Sequence, residues 1–422
     1  MNERVKLLPG VYLRAVQTDK FKTGCMSINF LRPLCREEAA KNALLPAVLL
    51  RGTRKNPDIM HISKMLDDLY GATVGTLVRK KGEVHTLGFY ADFIEDKYTL
   101  EKENVFASVC AFLRELLLDP VVEDGVFSRN FVEGEKINLD HTIAAEINDK
   151  RTYAVARLLR TMCAEEKSSV PRLGDRESVQ AVTAESLWAH YQNVLATSQV
   201  ELFYMGSKSV DEVAEVMKQM LEGLPRAELV AVQTEVVRTA DTVKEISEAM
   251  DVTQGKLSIG FRTGCTCQDP EYPALQLFNA VYGSGVTSKL FQNVREKMSL
   301  CYYASSSMEK YKGLMVVSSG IEFEKYEVAK NEILRQLEDC RQGNITETEL
   351  EQARTYLISA YRIAKDRPGS LDDFYLGQMI AGLEETMDDQ IAALRKVTVA
   401  DVVAAAQNIT LDTIYFLKGA EA

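Results

Sequence analysis

Histidine is scarce in this sequence, which has four among its 422 residues, at positions 61, 85, 141 and 190. None lies four residues from another histidine or from a cysteine, so no helix can present two such ligands on one face. The eight cysteines are scattered without a Cys-x-x-Cys pair, and Cys265 and Cys267 stand too close together for a zinc hairpin. The sequence therefore predicts no cofactor or metal in this chain, and isolated thiols of this kind are typical of a reducing cytosol.

Long apolar runs and basic clusters are also missing. The apolar run at 43–50 covers eight residues, whereas a helix that crosses a bilayer needs about 20. Charged residues interrupt the first twenty positions, so no secretory signal is expected. A net charge of -11, with a single run of three basic residues at 79–81, argues against nucleic-acid binding. We therefore expect a cytoplasmic protein without membrane insertion.

Two segments of the sequence occur twice, in the same order. The strand-like run at 26–30 recurs at 257–261, and in both runs apolar residues alternate with polar or small ones. Further along, Val182-Thr183, a helical stretch and the run at 203–206 recur as Val397-Thr398, a helical stretch and the run at 416–419. Two repeated anchors predict a duplicated fold.

The composition places the boundary between the halves after residue 223. We expect an N-terminal half at 1–223, an extended linker at 224–246 rich in valine, threonine and glutamate, and a C-terminal half at 247–422. Helical periodicity predicts helices at about 36–50 and through a long stretch at about 127–162. In the second half we expect a short helix at 288–297 and a strand at 301–307.

The most specific local pattern begins with Gly283-Ser284-Gly285 and continues through Ser288-Lys289-Leu290-Phe291 and Arg295-Glu296-Lys297 to Tyr302. A dinucleotide-binding loop is not expected here, because the third glycine is missing and the loop follows a helix. The pattern resembles the C-terminal-half signature of the pitrilysin and insulinase family of metallopeptidases. Because family members consist of two related halves of this size, the resemblance covers essentially the whole chain. It implies an α+β fold of two homologous α/β-roll halves that form a clamshell.

The resemblance assigns roles to two residues and one loop. In the family, an arginine and a tyrosine at the spacing of Arg295 and Tyr302 reach across from the C-terminal half and hold the substrate carbonyl beside zinc. A guanidinium can grip a carbonyl, and a phenol can donate to a developing oxyanion. The loop at Gly283, Ser284 and Gly285 would belong to the substrate chamber. The competing interpretation is that Arg295 caps its helix and Tyr302 packs in the sheet.

The zinc motif of active family members is absent. They carry His-x-x-Glu-His on the first long helix, with two zinc ligands and a glutamate that activates water. Counting back from Arg51-Gly52-Thr53, the corresponding residues here are Ala43, Pro46 and Ala47. If Glu135-Lys136 matches the family's Glu-Arg, the third ligand position is Thr142.

These observations lead to two hypotheses. In the first, the chain is the zinc-free subunit of a paired peptidase, and a homologous partner supplies the zinc, its ligands and the base for a peptide substrate. The regions at 135–139 and 148–150 resemble bacterial members without the zinc motif that are associated with aminopentanol modification of elongation factor P. In the second, the chain is a non-enzymatic peptide-binding or assembly protein. A homodimer is possible in isolation, and an independently active peptidase is a distant third interpretation.

Overall fold

The computed structural model of this protein describes residues 2–420. Its strands are β1 (Asn2–Leu8), β2 (Val11–Gln17), β3 (Thr23–Pro33), β4 (Thr73–Lys81), β5 (Val84–Ile94), β6 (Val122–Glu123), β7 (Val126–Phe127), β8 (Gln199–Gly206), β9 (Lys244–Met250), β10 (Gly255–Arg262), β11 (Cys301–Glu309), β12 (Leu314–Ile321) and β13 (Thr410–Gly419). The repeated anchors predicted from the sequence lie in β3, β8, β10 and β13.

The α-helices flank these strands along the chain. They are α1 (Arg36–Leu49), α2 (Ile59–Asp68), α3 (Val105–Leu118), α4 (Arg129–Ala145), α5 (Lys150–Met162), α6 (Arg176–Gln180), α7 (Ala184–Thr197), α8 (Val210–Met220), α9 (Tyr272–Tyr282), α10 (Tyr326–Arg341), α11 (Glu347–Ala364), α12 (Pro368–Ile380), α13 (Met387–Leu394) and α14 (Val399–Gln407). A π-helical segment spans Leu290–Lys297. Within the described part of the chain, no helix is both long and apolar enough to span a bilayer.

The two large sheets have the same topology, which confirms the predicted duplication. The first has the order β1-β2-β8-β3-β5-β4, and the second has the order β9-β13-β10-β12-β11 when written in the matching direction. In the first sheet β3 pairs antiparallel with β5 and β8, and β8 pairs in parallel with β2. In the second sheet β10 pairs antiparallel with β12 and β13, and β13 pairs in parallel with β9. Each sheet therefore repeats the other, strand for strand, apart from β1.

The chain divides into two compact units. One comprises Met1–Ala144 and Val170–Gln233, and the other comprises Ala145–Ser169 and Thr234–Ala422. Each has its own hydrophobic core. Residues 224–243 form neither helix nor strand, and β9 begins within the segment predicted as a linker.

The long helical stretch predicted at 127–162 is interrupted. It breaks after α4, and Asp149 caps the new helix α5 by accepting hydrogen bonds from the backbone N–H groups of Arg151 and Thr152. Helix α5 packs against β10 and β13 of the second unit. The approach is close, because a Cβ on Gly260 would lie 2.7 Å from Met162 Sδ.

A network of buried charges connects the residues that follow α5 to the second sheet. Arg262 Nη2 lies 2.6 Å from Glu166 Oε1, and Arg262 Nε lies 2.8 Å from Asp412 Oδ2. Lys312 Nζ lies 2.5 Å from the second oxygen of Glu166. Burial opposes ionisation of Glu166, but hydrogen bonds from Arg262 and Lys312 outweigh it and lower the pKa of this carboxyl group. Glu166 is thus a largely buried counter-ion for two cations at once.

Replacing Glu166 with glutamine should destabilise the second unit, because the buried Lys312 and Arg262 would lose a shared negative charge. Breaking a buried pair from one side typically costs about 3–5 kcal/mol. We expect a clearly lower calorimetric transition temperature for Glu166→Gln at pH 7. The matched control is Glu165→Gln, since Glu165 is the exposed neighbour. Equal transition temperatures for both variants would show that the network contributes little.

Candidate functional site

Helix α1 carries the positions of the absent zinc motif. Ala43 is buried, Pro46 is buried within the helix, and Ala47 is partly exposed. The helix continues through Pro46, although proline removes one interior amide donor. None of the three side chains has a lone pair to offer a metal ion. The residues present therefore do not fit a zinc ion at this place.

The predicted third ligand position offers no replacement. Thr142 is exposed, and its hydroxyl donates to the carbonyl oxygen of Asn138 one turn earlier, 2.9 Å away. Glu135 on the same helix lies 3.3 Å from Arg51 Nη1, so its carboxylate is paired with a cation. Among residues 2–420, no group of three or more histidine, cysteine, aspartate or glutamate side chains is arranged to hold a metal.

Two of the four histidines form a buried polar link behind helix α1. Asn42 Nδ2 lies 3.1 Å from His85 Nδ1, and Asn42 Oδ1 lies 2.8 Å from His190 Nε2. This arrangement suits two neutral imidazoles, with His85 as acceptor and His190 as donor. Burial lowers the pKa of each histidine to about 4. Both therefore act as core imidazoles that join α1, β5 and α7.

Arg295 lies near the end of the π-helical segment, where the sequence predicted an ordinary short helix. The segment closes with a bond from the Met298 N–H to the Asn293 carbonyl oxygen, the wide spacing of a π-turn. The Arg295 guanidinium stacks over the Phe291 ring at 4.6 Å and lies 3.5 Å from Glu296 Oε1. The side chain is 40 % exposed. Its terminal nitrogens thus remain accessible to a ligand.

Tyr302 lies at an irregularity in strand β11. Cys301 pairs with Ile321, and Tyr303 pairs with Gly320. Strand β11 therefore moves on by two residues where β12 moves on by one. This is a β-bulge with Tyr302 as the extra residue, and such bulges redirect a side chain. Tyr302 is 65 % exposed. Strand β11 is an edge strand of its sheet, and the π-helical segment packs against it.

The glycine-rich loop adopts a conformation that needs two of its glycines. A Cβ on Gly283 would lie 2.5 Å from Ser306 Oγ and 2.8 Å from Leu290 Cδ1. Gly285 has a φ of 109°, which favours glycine. A groove of about 850 Å³ lies beside the C-terminal part of this loop and along α11. The lining of the groove includes Gly285, Val286, Glu351 and Tyr356. The predicted chamber loop therefore borders a groove large enough for a peptide segment.

The structure places the predicted residues in two separate groups. Arg295, Tyr302 and the glycine-rich loop belong to the second unit, while Ala43, Pro46, Ala47 and Thr142 belong to the first. The roles given to these residues stay predictions. The sequence offered no sign of the π-turn or the bulge, because both depend on backbone hydrogen bonds between specific residues.

Comparisons with known proteins agree with this architecture. A family model described as the peptidase M16 inactive domain matches residues 181–357. The chain is 35 % identical over 421 residues to the probable inactive metalloprotease YmfF of Bacillus subtilis (strain 168), covering 100 % of this chain and 99 % of that protein. The chain belongs to the M16 family of pitrilysin-like peptidases, as an inactive homologue.

Solved structures give the same fold. A conserved protein from Enterococcus faecalis V583 superposes with a TM-score of 0.91 at 32 % identity, covering 99 % of this chain and 98 % of that chain. A structure described as the peptidase M16 inactive domain from Pseudomonas fluorescens gives a TM-score of 0.81 at 16 % identity, with 99 % and 98 % covered. At that identity the second likeness shows the fold alone.

Acid should destabilise the first unit through His85 and His190. An unfolded chain binds protons at these histidines below about pH 6.5, whereas the folded chain takes them up only near pH 4. The free energy of unfolding therefore keeps the full contribution of the two neutral histidines above pH 6.5. As the pH falls towards 4, it decreases by up to about 3 kcal/mol for each histidine. Urea unfolding followed by the fluorescence of Trp188, the only tryptophan, measures this loss near His190.

A matched pair of variants isolates the histidine contribution from that of the carboxyl groups. His190→Gln should lower stability at pH 7 and flatten its decline between pH 6.5 and 4. His141→Gln, at an exposed histidine, should leave the wild-type profile unchanged. An identical acid decline in wild type and His190→Gln would contradict the assignment.

Proposed function

We propose that this chain supplies Arg295 and Tyr302 to a peptidase centre whose zinc, zinc ligands and general base belong to a homologous partner subunit. The observation that carries the proposal is a contrast between two sets of positions. The positions predicted for the two zinc ligands hold Ala43 and Ala47, and the position predicted for the base holds Pro46, whereas both predicted substrate-binding side chains are present and solvent-accessible. The chain has thus kept the groups that bind a carbonyl and lost those that bind zinc.

The local backbone supports a ligand-binding role for both residues. If Tyr302 served only to pack the sheet, an exposed position on a bulge would not be needed. If Arg295 served only as a helix cap, its guanidinium would bond the last carbonyl groups, but it stacks on Phe291. π-turns and β-bulges both occur frequently at functional sites. An arginine and a phenol held in this way can donate hydrogen bonds to a peptide carbonyl and to the oxyanion that forms from it.

The proposal predicts a loss of catalysis in a reconstituted pair. This chain is co-expressed with a homologue that carries His-x-x-Glu-His, and peptide hydrolysis by the purified pair is measured. Tyr302→Phe removes one oxyanion donor and should lower kcat by about 10²–10³-fold. Arg295→Ala should cause a comparable loss in kcat/KM.

Two controls accompany this measurement. Tyr98→Phe and Arg362→Ala change exposed residues that have no predicted role and should leave hydrolysis unchanged. Full activity of the pair with both Arg295→Ala and Tyr302→Phe would refute the role proposed for these side chains.

A second candidate function is peptide capture without hydrolysis. Strand β11 lies at the edge of its sheet, so a peptide can pair with backbone groups on its outer side without any metal, except at Ser306, whose N–H donates to the Gly283 carbonyl oxygen. Stable peptide binding by this chain alone, with no gain on adding the zinc-bearing homologue, would favour this function over the paired peptidase.

The resemblance at 135–139 and 148–150 motivates a narrower proposal about biological context. We propose that the chain takes part in the aminopentanol modification of elongation factor P. Intact-mass analysis of elongation factor P from cells lacking this chain tests it directly, since an unchanged modified mass would remove the link.

A further inference from the structure

Arg151 is a fixed but exposed cation on the face of strand β11. Its guanidinium lies over the Tyr303 ring at 4.2 Å, and Nη2 donates to Ser305 Oγ at 2.9 Å. Stacking and this hydrogen bond orient the planar group while the side chain remains exposed. A guanidinium held in this way has lost part of its rotamer freedom before any ligand arrives.

The sheet is shaped to accept the Tyr303 ring beneath Arg151. Tyr303 pairs with Gly320, and a Cβ on Gly320 would lie 2.5 Å from Tyr303 Cε1. Glycine therefore leaves room for the ring to lie across the sheet. On the other side of Gly320 the same cross-strand row continues to Lys256. A second cation thus lies on this sheet face, in the same row as the ring that supports Arg151.

The charge of Arg151 is not neutralised by an ion pair in the described part of the protein, although the nearby Asp149 carboxylate interacts with it electrostatically. In the part of the chain that the structure describes, no carboxylate forms an ion pair with Arg151. The nearby Asp149 is engaged as the cap of α5, where it accepts hydrogen bonds from the Thr152 hydroxyl and two backbone amides. The hydrogen bond from the Thr152 hydroxyl, followed by that from its amide, holds the pKa of Asp149 below its usual value. Arg151 keeps several N–H donors for a ligand.

We infer that Arg151 binds a carboxylate of a peptide ligand on the face of β11, with Lys256 as a second cation in the same cross-strand row. The inference rests on the proposed function, since it takes the bound ligand to be a peptide. A planar guanidinium matches a carboxylate through two parallel hydrogen bonds, which makes arginine suited to this task. The carboxylate belongs either to an acidic side chain or to the peptide's C-terminus. The site therefore gives the chain a preference for acidic or carboxyl-ended peptides.

Three forms of one alanine- and leucine-rich hexapeptide, each labelled at its N-terminus with the same uncharged fluorophore, test this inference on the isolated full chain. One form is neutral with a glutamine and a C-terminal amide, one has a free C-terminal carboxylate, and one has a glutamate with a C-terminal amide. Fluorescence anisotropy gives Kd for each. We expect one charged form to bind about tenfold or more tightly than the neutral form, because hydrogen bonds between charged groups are strong. The form that gains affinity identifies the source of the carboxylate.

Variants assign the preference to Arg151. Arg151→Gln should abolish the difference between charged and neutral peptides, and Arg151→Lys should restore only part of it, because lysine lacks the planar fork. Arg362→Gln, at an exposed arginine elsewhere in the second unit, should behave like wild type. Equal affinity for all three peptides, no binding of any of them, or an unchanged preference in Arg151→Gln would overturn the inference. The hydrolysis assay with Arg295 and Tyr302 variants is independent, so either proposal can fail alone.

Discussion

The buried charges around Arg262 determine how the second unit is built. Glu166 lies near the end of the segment that contains α5, and its contacts with Arg262 and Lys312 fix that segment on the second sheet. Helix α5 in turn brings Arg151 to the Tyr303 ring on strand β11. Because burying these charges is costly unless each is paired, the network specifies one arrangement of the segment. The position of Arg151 thus follows from contacts made well away from it.

In the first unit, the polar side chains near helix α1 bond to one another and are not left open to a ligand. Helix α1 carries alanine and proline at the positions predicted for the absent zinc motif, and the nearby polar side chains are engaged with one another. Asn42 holds His85 and His190, and Arg51 holds Glu135. These contacts join α1 and the residue Arg51 that follows it to β5, α7 and α4. Arg295 and Tyr302 of the second unit, in contrast, remain accessible to solvent.

The sequence predicted the parts of the fold that follow from local patterns. The repeated anchors correspond to matching strands, since alternating apolar residues mark a strand wherever it pairs. The assignment of α5 to the second unit could not be predicted, because it depends on contacts between distant residues, such as that of Glu166 with Arg262, 96 positions away. The bulge at Tyr302 depends on register with β12, and the Asn42 link joins residues far apart in sequence. Arg295 and Tyr302 could be predicted from the sequence as candidate substrate-binding residues. The π-turn near Arg295 and the bulge at Tyr302 could not be predicted.

The proposed peptidase centre is divided between two chains, and metal analysis tests that division. The isolated chain and its complex with a zinc-bearing homologue are purified in parallel, and zinc is measured against protein concentration. We expect far less than one zinc ion per isolated chain and a single zinc ion in each complex, lost when the partner's His-x-x-Glu-His is mutated. A stoichiometric zinc ion in the isolated chain would contradict the account.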